Sequence, residues 1–143
     1  MTAAAANTMR FMAKGRLVVF VNLDRTPTDA EWNAYHAAVL DAGRTYGVAR
    51  VLVFSEGGAP TAKQRKRAGE LTAVIKSRTA VVSDSFIARS IVTALGWLRL
   101  DIKGFARAEQ AKAFAFLELS SAESEWALRA VQEMQTQLRE ARV

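Results

Sequence analysis

The chain has 143 residues, 50% of them hydrophobic and 24% charged, which suits one soluble domain with a single core of ordinary size. It has no cysteine, which excludes disulfides, thiolate metal sites and a cysteine nucleophile, and fits a cytoplasmic protein. The formal charge of +6 is moderately basic and invites an anionic partner, while no apolar run approaches the roughly 18 residues of a membrane-crossing helix.

Residues 1–8 are alanine-rich, with no basic region ahead of an apolar block, and read as a frayed tail and not a signal peptide. Met9–Ala13 reads as a short strand, turned by Lys14-Gly15-Arg16 into the run Leu17–Asn22. That run is almost unbroken in its hydrophobicity, as expected of a strand covered on both faces. Thr28 with Glu31 forms a capping box that opens a helix, along which Trp32, Tyr35, His36, Val39, Leu40 and Gly43 recur at helical spacing. Gly47 is placed to end it.

Val48–Phe54 is the next buried strand, and Ser55–Pro60 is a loop. From Thr61 the pattern is helical, with Ala68, Leu71, Val74 and Ile75 on one face and Lys63, Arg65, Lys66 and Arg67 on or beside the other. Thr79–Val82 is a short strand, and Ser83-Asp84-Ser85 caps a helix running to about Leu98. Ile102–Ala106 is a weak last strand, and Ala108–Leu119 a helix with Ala111, Phe114 and Ala115, and at its end Leu117, as buried positions. Strands alternating with helices predict one α/β layer sandwich over residues 9–119, with a mostly parallel sheet of four or five strands and right-handed crossovers.

Ser120 with Glu123 is a second capping box, and residues 120–143 form an amphipathic helix beyond that domain. Its stripe of Ala127, Ala130, Val131, Met134, Leu138 and Ala141 needs a surface, because a lone helix of this length is marginal in water. A second copy of the chain supplies one, so Ala127, Val131, Met134 and Leu138 are expected to build a two-fold homodimer. The alternative is a lid over the protein's own core.

The reactive residue types are sparse. His36 is the single histidine, has no carboxylate at ligand spacing on its face, and reads as a semi-buried residue of the helix–sheet interface. The carboxylates are scattered, so no acid–base pair is formed, and the chain reads as non-enzymatic, with no metal or cofactor. Lys63, Arg65, Lys66 and Arg67, with Lys76 and Arg78, are the densest charge feature. They are either a solvated face or a docking face for an acidic protein or phosphates. No aromatic residues are interleaved and no helix-turn-helix is present, which argues against nucleic acid. Ser83 and Ser85 are candidates for an anion or phosphorylation site, although ordinary capping accounts for the same residues. Trp97, Leu98, Phe105, Phe114 and Phe116 read first as core, and alternatively as the lining of a lipid pocket.

The order strand, strand, helix, strand, helix, strand, helix, strand, helix resembles the STAS superfamily, in particular its SpoIIAA-like branch, which is related to the lipid-binding CRAL-TRIO fold. Arg78–Asp84 resembles that branch's fourth strand and turn, and Ile91–Leu98 the helix behind it. Ile102-Lys103-Gly104-Phe105, Ala108–Ala111 and Phe116-Leu117 resemble its closing strand and helix. The resemblance covers roughly Met9 to Leu119. It implies a non-enzymatic protein that docks to protein partners or holds an apolar ligand. The phosphorylated serine that follows an aspartate in the family's antagonists is missing from the matching loop, Ser55-Glu56-Gly57-Gly58, and the Asp84-Ser85 pair lies one unit later. The expectation is therefore a non-catalytic, regulatory protein-interaction module. The alternative is a binder of a lipid or other apolar small molecule between sheet and helices.

Overall fold

The computed structural model describes residues 8–85, 90, 92, 93 and 101–141. Five strands form one sheet in sequence order: β1 (Met9–Lys14), β2 (Leu17–Asn22), β3 (Ala49–Ser55), β4 (Ser77–Val82) and β5 (Ile102–Phe105). β1 is antiparallel to β2 through a turn in which Gly15 takes φ +59°, and the other pairs are parallel. The α/β class and mostly parallel sheet agree with the sequence. Thr8, placed in the tail by the sequence, is buried, and its backbone N–H and hydroxyl bond the Glu31 carboxylate, while residues 1–7 lie outside the described residues. Residues 86–89, 91 and 94–98 of the helix expected after Ser85 lie outside the described residues.

Every residue of β2 is buried, and its side chains alternate between two separate cores. Val18 and Phe20 face helix α1 (Asp29–Tyr46), which buries Trp32, Tyr35, Val39 and Ala42 against them. The Thr28–Glu31 capping box starts α1, and Gly47 at φ +79° ends it. Burial pushes the Glu31 pKa up, but the donors of Thr8 and Thr28 outweigh it and hold the carboxyl below its usual range, which pins β1 to the start of α1.

Helix α2 (Ala62–Thr72) starts at a Thr61–Gln64 capping box and has a different character. Its sequence, AKQRKRAGELT, is mostly polar, and Gln64 is its one buried side chain among the described residues, with Ala68 partly buried against the α1-side core. The apolar face expected from Ala68 to Ile75 is formed in part: Ala68 and Ile75 pack against the α1-side core, Ile75 beside Gly43 of α1, but the helix ends at Thr72 and Val74 is 68% exposed. Polar bonds hold α2 to α1. Gln64 Nε2 donates to Pro27 O (2.9 Å) and Asp29 Oδ1 (3.0 Å), and Trp32 Nε1 donates to Gln64 O (3.1 Å).

The opposite face of the sheet, with Leu17, Val19, Val21, Leu52, Phe54, Ala80 and Val82, is covered by α3 (Gln110–Phe116) and α4 (Ser121–Ala141). A 3-10 turn at Arg107–Glu109 delays α3, so Ala113 and Leu117 are its buried positions, while Ala111 and Ala115 are exposed and Phe114 half-buried. The stripe expected to build a homodimer lies on its own sheet: Ala127, Met134 and Leu138 are fully buried there and Val131 nearly so. Residues 120–141 are therefore part of the core and not an appendage to it. Geometry at the α3–α4 corner supports this. Glu118 sits at φ +56°, its carboxylate pairs with Arg50 (3.5 Å) and Arg78 (3.6 Å), and its carbonyl accepts from Arg16 (2.8 Å). Arg16 also grips Glu123 through two bonds of 3.0 Å, and this grip is the leading reason the Glu123 pKa falls to about 2.

Leu138→Ala and Met134→Ala should each cost about 2–5 kcal/mol in urea denaturation, as fully buried large-to-small changes do. Truncation after Leu119 should yield an unfolded or insoluble chain and not a folded monomer, as read by circular dichroism, because it strips Ala127, Ala130, Val131, Met134 and Leu138 from the second face.

Candidate functional site

A cavity of about 540 Å³ lies between the α1 face of the sheet and the helices α1 and α2, with Val92 also in its lining. Phe20, Val51, Val53, Thr79 and Val81 form its sheet side, Trp32, Tyr35, His36 and Val39 its α1 wall, and Arg65 and Ala68 its α2 wall. A volume of this size, mainly apolar with a few polar groups, is typical of small-molecule sites.

His36 is the chemically distinctive group. It is 4% exposed, packed against the rings of Trp32 (4.8 Å) and Tyr35 (4.7 Å), and lines the cavity. Neither ring nitrogen has a hydrogen-bond partner among the described residues. Burial, reinforced by the positive charge of Arg67, lowers its pKa from 6.5 to about 4. At neutral pH the ring is uncharged, with one nitrogen a donor and the other an acceptor.

Beyond the C-terminal ends of β2 and β3, where ligands bind in open α/β sheets, the lining continues as Asn22, Ser55 and the loop Gly58-Ala59-Pro60. The loop is fixed. Asn22 Nδ2 donates to Gly58 O (2.8 Å), Ser55 Oγ donates to the same carbonyl (3.2 Å), and Gly58 N donates to Leu23 O (2.9 Å). Only glycine fits at position 58, because a Cβ there would overlap the carbonyl oxygens of Arg25 and Leu23 and the Asn22 amide.

The structure separates the residues that the sequence grouped. Arg65 is half-buried, donates to Pro60 O (2.9 Å) and lines the cavity, whereas Lys63, Lys66 and Arg67 are exposed. Among the described residues none of these four lies within 4.0 Å of a carboxylate. Ser83 is fully buried and its hydroxyl accepts from Ser85 N, while Asp84 accepts from Arg107 N, so Ser83 caps a turn and offers no surface to a kinase or an anion. Ser85 is half-buried beside Gly57. Of the aromatic residues assigned to a pocket, Phe105, Phe114 and Phe116 belong to the opposite core, and Trp97 and Leu98 lie outside the described residues. The cavity aromatics are instead Phe20, Trp32 and Tyr35. The signal that could have found the site is the contrast between an aromatic-rich α1 and an α2 with nothing large to set against the sheet.

No helix among the described residues is long and apolar enough to cross a membrane. Comparison of the chain with protein-family models, curated proteins and solved structures finds no match in any of the three.

The lowered pKa of His36 has a pH signature of defined sign. The unfolded chain gains a proton near pH 6.5 that the folded chain refuses until about 4, so stability falls as pH drops through that window. His36 is the only histidine, and ordinary carboxyls titrate near 4.5, so the upper part of the window reports on this ring alone. Urea denaturation should show stability declining from pH 6.5 toward 5 in the native protein and staying level in His36→Phe.

Proposed function

We propose that the protein is a non-catalytic binding protein that holds a small, largely apolar molecule between its sheet and the helices α1 and α2. The observation that carries this reading is the 540 Å³ cavity between the sheet and the helices α1 and α2, the latter tied to α1 by Gln64. The resemblance to the SpoIIAA-like branch and its CRAL-TRIO relatives supports the same class of function. Nile red, an uncharged apolar dye, should bind with a saturable rise in fluorescence. Ala68→Phe, which places a ring in the cavity from the α2 wall, should abolish the rise while circular dichroism stays unchanged. A dye signal indifferent to this substitution would reject the cavity as the site.

A second reading, a regulatory module that docks to an acidic protein, is favoured by a separate observation. Lys63, Lys66 and Arg67 stand exposed on one helix with no carboxylate within 4.0 Å among the described residues. Such a face raises association rates with acidic surfaces through the field it projects. The combined change Lys63→Glu, Lys66→Glu and Arg67→Glu should release the protein from a polyglutamate column at lower salt than Lys112→Glu, Arg129→Glu and Arg139→Glu. Net charge is equal in the two variants, so equal elution would rule out a localised docking face.

A further inference from the structure

We propose that the cavity selects an amphipathic carboxylic acid, its tail lying along the apolar lining and its carboxylate accepting a hydrogen bond from His36. This inference rests on the cavity reading above and adds the identity of the head group. The first support is the state of His36. A side chain 4% exposed with two unpartnered ring nitrogens is costly to keep in a core, since an unmet buried polar group destabilises by about 1–3 kcal/mol. An apolar residue of similar size would fill the same place between Trp32 and Tyr35 without that penalty. A ligand atom at the ring would satisfy it.

The second support is the charge around the space. Arg65 and Lys76 line it, and the charge of Arg67 reaches the His36 ring. The one carboxylate among the lining residues, Asp101, is engaged by Arg78 at 2.8 Å. A cationic head would meet this field unfavourably, an alcohol would gain only the hydrogen bond, and a carboxylate gains both terms. Much of the remaining lining is apolar, with Phe20, Val51, Val53, Val81 and Ala68, and suits the tail, while Asn22, Ser55, Ser77 and Thr79 are its uncharged polar members.

Isothermal titration of the full-length protein at neutral pH with decanoate and with decanol tests this directly. Decanoate should bind about tenfold or more tighter than decanol, the worth of a hydrogen bond to a charged group. His36→Leu should bring decanoate down to the decanol level, leave decanol unchanged, and melt at or above the native temperature. His36→Gln, which keeps a donor, should retain most of the preference, and this separates hydrogen bonding from packing. Equal binding of the two probes, or a decanoate preference that survives in His36→Leu, would overturn the head-group assignment and leave the cavity reading standing. Failure of both probes to bind would overturn both.

Discussion

The structure depends on one strand that is apolar on both sides. Leu17, Val18, Val19, Phe20 and Val21 are all 3% exposed or less, so β2 can exist in water only between two covering layers. Each large side chain buried there contributes about 1.5–3 kcal/mol, and removing either layer forfeits half of them. The first layer comes from the helix that follows β2 in the chain. The second comes from the far C-terminus, about a hundred residues later, and is fixed in place by Arg16 at the β1–β2 turn gripping Glu123 and the Glu118 carbonyl. The charged corner thus sets where α4 begins, and the apolar stripe sets which way it lies.

The two layers are unequal. α4 has a continuous stripe and seals its face. On the other face α1 covers β1 to β3, whereas α2 adds the partly buried Ala68 and turns its buried Gln64 toward Pro27 and Asp29. The cavity and His36, which has no hydrogen-bond partner among the described residues, lie together on this less tightly covered face. Departures of this kind from otherwise consistent packing are expected at functional sites, where stability is traded for a waiting polar group.

The fold was largely legible because its signals are local and redundant. The run Leu17–Asn22, the Thr28–Glu31 box, Gly47 and the Ser120–Glu123 box each mark an element by chemistry that acts within a few residues. What was not legible depends on distant pairing. The stripe from Ala127 to Leu138 has the same pattern whether it meets a second chain or its own sheet, and only the matching apolar face of β2 decides. The phase of α3 was misread because the turn at Arg107–Glu109 shifts the helix start and so rotates every later side chain. His36 was correctly placed in the helix–sheet interface, but that its ring nitrogens meet no partner among the described residues depends on what other elements bring, which no spacing along α1 encodes.

Gln64 carries a further consequence. Its side chain caps its own helix at Thr61 and bonds Pro27 and Asp29, and its carbonyl receives the Trp32 indole. Among the described residues Gln64 supplies most of the side-chain hydrogen bonds that tie α2 to its surroundings, beside Arg65 on Pro60 O and the partly buried Ala68. A segment held in that way opens as a unit at a free energy well below that of global unfolding, while β2 stays sandwiched. Amides of α2 then exchange with solvent ahead of those of β2, and the interior becomes accessible without any loss of the fold. On the binding function proposed above, the residence time of a guest would follow the opening of this polar hinge.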